Sequence, residues 1–302
     1  MRRRGDLVLL LGGVLVWLLS DAQRVKAAAG EALALCAGTV IPALFPFLAV
    51  SGLVMALGLG EWLSPALRGL MGPLYRLPGT AAAPLVLGLL GGYPIGARTA
   101  AELYREGQLT RDEAQRLLTF CNNANPAFFL SVLGAGVFGS VRIGVWLWLI
   151  HVASALLTGL VFRGRDAPAR RAAPPPRRRP EAPSLSAAVV GAVTSAAGGM
   201  MSVCAFVVLF YVLAAPFRAL GGPLGAALTG ALELFSLTPL LPPSRGGFLL
   251  AAICAGWGGA CVLCQTAAAL DGTGLSVGRC AAGKAVQALL SAVLAMAAVW
   301  FL

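Results

Sequence analysis

Residues 91–98 read GGYPIGAR and residues 121–128 read CNNANPAF, in a chain otherwise dominated by Ala, Leu, Val and Gly. The first run breaks a helix, because Gly disfavours one and Pro interrupts its hydrogen-bond ladder. The second sets Asn122, Asn123 and Asn125 beside Pro126, where unpaired amides inside hydrocarbon are costly. How these two polar interruptions are read decides the fold.

Around them the chain is strongly apolar. Of its 302 residues 58% are hydrophobic and only 12% charged, against about a quarter charged in soluble domains. Uncharged stretches run over 32–60, 77–97, 117–141, 182–217, 246–270 and 285–302. Several exceed the ~20 residues a helix needs to cross a bilayer. The composition predicts an all-α, polytopic membrane helical bundle. The net charge of +11 sits in short loops, where it sets orientation; no nucleic-acid motif accompanies it, so nucleic acid is not an expected partner.

Composition shifts divide the chain into four parts. Residues 1–27 predict a short first span or uncleaved anchor, basic at its start and then apolar. Residues 163–184, with seven arginines and six prolines, predict a solvated cytoplasmic linker. It separates a first membrane half, 28–162, from a second, 185–302. The first half offers apolar segments at 28–58, 78–97, 117–138 and 143–162. The second offers 185–217, 222–241, 247–270 and 277–302.

Five full crossings before the linker would leave its arginines outside, against the positive-inside rule. A re-entrant 78–97, turning at GGYP, places the linker inside. A re-entrant 222–241 from the opposite side completes the pattern. Eighteen of 23 basic residues then face the cytoplasm, including Arg98, Arg105, Arg111, Arg116 and Lys284. Each half becomes a span, a re-entrant hairpin, a span and a span, in inverted orientation, as in many secondary transporters. Sliding 121–159 onto 254–292 pairs Cys121 with Cys254 and lays NNANP at 122–126 on AGWGG at 255–259. Residues 98–116 predict two short cytoplasmic helices, ended by Gly107 and reopened by a Thr110–Glu113 capping box.

The candidate binding residues are Gly92, Tyr93, Pro94 and Gly96 of the first interruption and Asn122, Asn123, Asn125 and Pro126 of the second. Either the asparagines bond neighbouring helices, or they meet a polar ligand where Pro126 frees backbone carbonyls. Glu233 either serves a ligand or coupling ion, or pairs with Arg218 or Arg245 near an interface. Gln265 faces a cavity or joins helices. His151 has no partner at metal-ligand spacing and is expected to make a bundle hydrogen bond. Lys284 and Arg98 are expected to snorkel. The chain lacks GxSxG, HExxH, Walker A and dinucleotide fingerprints, so neither an enzyme, a metal site nor a cofactor is expected.

The stretch GGYPIGARTAAELYREGQLTRDEAQRLLTFCNNANPAFFLSVLGAGVFGS, 91–140, resembles the sporulation integral membrane proteins of the YlbJ type, within the broader nucleoside-recognition (Gate) family. The shared features are the G-Y-P-x-G-A-R turn, the A-E-L-Y-x-x-G helix, the T-x-x-E-A-x-R-L-L helix start and the N-N-x-x-P break. WGGACVLCQ at 257–265 shares a Gly-rich run before a Gln. The family tends to follow the second-half acid closely with a Gly turn, whereas Leu237 and Thr238 follow Glu233 here.

The resemblance implies a multi-pass protein of the bacterial cytoplasmic or outer forespore membrane. It also implies movement of a small anionic metabolite, dipicolinate being the leading candidate. A non-transporting scaffold or regulator of spore-envelope assembly is the alternative. Lipid is the expected surrounding partner, and homo-oligomerisation is left open.

Overall fold

A computed structural model describes residues 2–57, 69–164 and 184–300. Most of the predicted linker lies outside the described residues. All regular structure among them is helical. Among the described residues five helices are long and apolar enough to cross a membrane: Ala22–Val50, Val141–Val161, Leu185–Leu220, Arg245–Ala269 and Val277–Ala298. Large apolar side chains such as Leu209, Leu289 and Val293 face outward, while Asn123, His151, Lys284 and Gln287 are buried. That inside-out distribution is the one a lipid solvent selects. The protein is an integral membrane helical bundle.

The first half opens with α1 (Arg2–Ser20) and α2 (Ala22–Leu35), which continues through a π-turn at Cys36–Val40 into α3 (Ile41–Ala56). The long segment therefore starts nearer the N-terminus than its apolar run suggests, because helix-forming AQRVKAAAGE carries the ladder without a breaker. Next come α4 (Ala82–Gly91), α5 (Ile95–Arg105) and α6 (Arg111–Leu117). An irregular stretch leads to a π-helix at Phe128–Val137, and α7 (Val141–Val161) ends the half.

The second half runs α8 (Leu185–Leu220), α9 (Gly222–Leu232), the single turn α10 (Leu234–Leu237), α11 (Arg245–Trp257), α12 (Gly259–Ala269) and α13 (Val277–Ala298). The order of parts is alike in the two halves: a long helix, a helix–turn–helix, a broken helix, a long helix.

Residues 78–97 fold as the first limb and turn of a hairpin. The turn is Gly92–Pro94, with a cis Tyr93–Pro94 peptide and Gly92 at φ 84°. That φ is left-handed and free of strain only for Gly. Both limbs lead to the same end of the bundle. There Arg116 Nη1 donates to Tyr75 O at 3.1 Å, Arg105 Nη2 to Asp271 O at 2.8 Å and Arg111 Nη2 to Gly274 O at 2.9 Å.

The Thr110–Glu113 capping box forms as predicted: Thr110 Oγ1 accepts from Glu113 N at 3.1 Å, and Glu113 Oε2 accepts from Thr110 N at 2.6 Å. The pair α5–α6 is less solvated than its alternating charges suggest. Ala97, Ala100, Ala101, Ala114 and Leu117 are buried with Leu270 and Leu275, while Glu102, Arg105, Glu106, Arg111 and Asp112 are exposed.

Candidate functional site

Small residues let the first hairpin close on the first broken segment. A Cβ at Gly88 or Gly96 would overlap the Cys121 carbonyl oxygen, so the two limbs grip that backbone group from either side. Downstream, residues 122–125 form no regular structure, and Pro126 disfavours the helical conformation at Asn125. The helix restarts with Asn125 Oδ1 accepting from Phe128 N at 2.9 Å, a side-chain cap on an otherwise orphan donor.

The second hairpin uses the same device. Glu233 is extended at φ −155°, ψ 131°, and caps α10. Its Oε1 accepts from Phe235 N at 2.9 Å, and its Oε2 from Ser236 N at 2.5 Å and Ser236 Oγ at 2.7 Å. It pairs with neither Arg218 nor Arg245. Arg218 instead lies 3.8 Å from Glu31 and over the Tyr211 ring, and Arg245 lies over Trp300. The second broken helix turns at Gly258, φ 84°. Trp257 Nε1 holds it to the hairpin by donating to Ala231 O at 2.9 Å.

The four interruptions meet crosswise. Tyr93 of the first turn packs on the second break, its hydroxyl 3.0 Å from where a Cβ on Gly258 would stand. Phe128, beyond the first break, meets Phe235 of the second turn edge-to-face, with ring centroids 5.2 Å apart. Between them lies a cavity of about 60 Å³, lined by Leu44, Tyr93, Asn125, Val207, Glu233 and Gln265 among others. Both hairpin turns (Tyr93; Glu233, Leu234), the first break (Ala124, Asn125, Phe128) and α12 (Cys261, Val262, Gln265) contribute to its wall.

Tyr93, Asn125, Glu233 and Gln265 therefore line one cavity. Gly92 supports it from behind, packed on the Asn125 side chain, and Pro94 and Pro126 set the two turns. Gly96 belongs to the Cys121 grip. Asn122 and Asn123 point elsewhere, into a second layer of polar side chains. Asn122 Nδ2 donates to Thr266 Oγ1 at 2.9 Å. Asn123 Nδ2 donates to Phe120 O at 2.7 Å, and its Oδ1 accepts from Gln287 Nε2 at 3.1 Å. His151 Nε2 accepts from Ala124 N at 3.3 Å, meeting a donor that the break leaves free. Ser291 Oγ donates to Ser154 Oγ at 2.9 Å.

Lys284 corrects the expectation of snorkelling. It is fully buried, and its Nζ donates to Gln287 Oε1 at 2.9 Å, Tyr93 Oη at 3.4 Å and Asn123 Oδ1 at 3.5 Å. Gln287 and Lys284 were missed as site neighbours because an apolar helix with one Lys near its start matches an interfacial anchor. Their i, i+3 spacing on a helix face that is otherwise Ala, Ser and Gly is the available signal.

Comparison with known proteins bears on the first half. Residues 37–141 match the family described as Gate, nucleoside recognition. The chain is 35% identical over 124 residues to the sporulation integral membrane protein YlbJ of Bacillus subtilis, covering 41% of this chain and 30% of that one. It is 34% identical over 98 residues to an uncharacterised protein of Alkalihalophilus pseudofirmus, covering 31% and 21%. The chain thus spans less than a third of the length of either relative. No solved structure matches. The Gate match covers the first hairpin and the first break, whereas Glu233, Gln265 and Lys284 lie outside it.

Proposed function

We propose that the chain is a membrane transporter or facilitator for a small anionic metabolite, bound between the two hairpin turns and the two broken helices. The observation that carries this reading is that residues of both hairpin turns, the first break and α12, among them Tyr93, Asn125, Glu233 and Gln265, line one cavity. Broken helices at such a site favour carboxylates and phosphates through their free N–H groups. Glu233 does not oppose an anion strongly, since both its oxygens are held by the N–H and O–H groups of its own turn. Gln265 keeps free capacity: among the described residues its amide donates only to Cys261 Sγ, at 3.4 Å.

The like order of parts supports inverted-topology halves, with both hairpins re-entrant. A cavity of about 60 Å³ is far below the roughly 300–1,000 Å³ of sites that hold drug-sized ligands. Substrate entry then requires one hairpin turn to part from the opposing break, and these are the moving elements of an alternating-access cycle. The sporulation role named for the Bacillus subtilis relative makes dipicolinate the first substrate to try, at the cytoplasmic or forespore membrane.

The test is uptake into proteoliposomes of the purified chain, using labelled small carboxylates with dipicolinate among them. Uptake is expected to saturate and to fall at least tenfold in Gln265→Ala. A scaffold or regulator of envelope assembly, the competing reading, predicts no uptake above empty vesicles.

A further inference from the structure

A lone ammonium deep in a bundle is the least expected group in this molecule. Lys284 sits on α13 with no side-chain exposure, and among the described residues no carboxylate lies within ion-pair distance of it. Its contacts are three neutral oxygens, from Gln287, Tyr93 and Asn123, and the Tyr93 ring, whose centroid is 5.1 Å from Nζ. Burying such a group without a counter-charge is costly, and an apolar residue of equal volume would pack there at less cost. Structural bonding alone does not call for it, since Gln287 already reaches Asn123 without the lysine.

What the lysine adds is position. The side chain it holds, Tyr93, is also a wall of the cavity. The ammonium is not itself a wall of the cavity but contacts one, the Tyr93 hydroxyl, at 3.4 Å. There it is screened by protein and not by water, where charge acts over longer distances than in solvent. The other ionisable wall residue, Glu233, gives both oxygens to the N–H and O–H donors of its own turn and makes no ion pair with the lysine. A bound anion would supply the counter-charge that the lysine lacks.

We propose that Lys284 is the specificity-determining residue of the site: its charge, carried to the cavity through the Tyr93 hydroxyl, selects small carboxylates over neutral molecules of the same shape. This deepens the transport reading and rests on it. The Tyr93 hydroxyl accepts from Lys284 and so has its own proton to offer to a carboxylate oxygen. The lysine polarises that donor without touching the ligand. A carboxamide of the same outline presents no charge to compensate and leaves the ammonium uncompensated in the bound state.

The experiment compares uptake of pyridine-2-carboxylate with that of pyridine-2-carboxamide in proteoliposomes of the full chain. Wild type is expected to prefer the carboxylate at least tenfold after correction for passive leak. Lys284→Met is expected to bring the ratio near one, chiefly through lost carboxylate uptake; Lys284→Arg is expected to keep most of the preference. Tyr93→Phe leaves the lysine in place and removes the relay, and it is expected to lower the preference severalfold. This second variant decides the matter if Lys284→Met does not insert. An unchanged ratio in Lys284→Met, or in Tyr93→Phe if that alone inserts, overturns the role of the lysine while leaving transport standing. Absence of any uptake in wild type overturns the transport reading and this inference together.

Discussion

Lys284 Nζ lies 3.4 Å from the Tyr93 hydroxyl oxygen, joining the last long helix of the chain to the turn of the first hairpin across 191 residues. The contact ties a charge in the polar second layer to the wall of the cavity. It also links a residue outside the Gate match to one inside it, so the site is completed by the second half.

The lysine's cost makes a stability prediction opposite to that for most buried polar groups. Lys284→Met is expected to melt no lower than wild type in detergent, because removing a buried charge offsets the loss of its hydrogen bonds. Lys284→Glu places a carboxylate against Asn123 Oδ1 and Gln287 Oε1, and is expected to cost roughly 3–5 kcal/mol. Thermal unfolding followed by size-exclusion chromatography separates the two.

The grip on Cys121 is equally testable. Gly88→Ala and Gly96→Ala each drive a methyl into the Cys121 carbonyl, and overpacking of this kind costs roughly 1–3 kcal/mol or more. Gly30→Ala meets nothing within 4 Å and sits inside α2, where Ala is favoured by about 1 kcal/mol. Melting temperatures should fall for the first two variants and hold or rise for the third.

Much of this arrangement was legible in the sequence. Helix-breaking runs at 91–94 and 122–126 are visible because Gly and Pro act locally, and the Thr110–Glu113 cap because it is a four-residue device. The division of labour among the asparagines was not. Residues 122–125 have no regular structure, so no helical or strand periodicity fixes where their side chains point: Asn125 lines the cavity while Asn122 and Asn123 meet Thr266 and Gln287. Those partners lie 144 and 164 residues away, where no local pattern reaches. The fit of Gly88 and Gly96 around Cys121 is likewise a tertiary contact that small residues permit without announcing.

Glu233 and Gln265 line the same cavity but should respond differently. Glu233 holds three hydrogen bonds at the N-terminus of its turn, and losing such a cap costs about 1–2 kcal/mol. Glu233→Ala is expected to lower melting temperature and uptake together. Gln265→Ala is expected to lower uptake and leave the melting temperature within a degree or two.

Orientation can be read by cysteine labelling in a Cys-free background. Gln108→Cys and Thr273→Cys lie at one end of the bundle, where Arg105 and Arg111 meet the 271–274 loop. Both should react with a membrane-impermeant maleimide only after permeabilisation, as should Glu181→Cys in the linker. Arg142→Cys and Arg245→Cys should react from outside. Outside labelling at Gln108 with none at Glu181 would remove the hairpin arrangement of 78–97.

The central claim is that one small anion binds between the hairpin turns. Calorimetric titration of the purified chain with small carboxylates, dipicolinate among them, tests it most directly. One ligand per chain is expected to bind, with Kd raised at least tenfold in Asn125→Ala and in Gln265→Ala and unchanged in Gln108→Ala. Binding that no cavity substitution alters, or no binding of any carboxylate by a folded wild-type chain, would contradict the account.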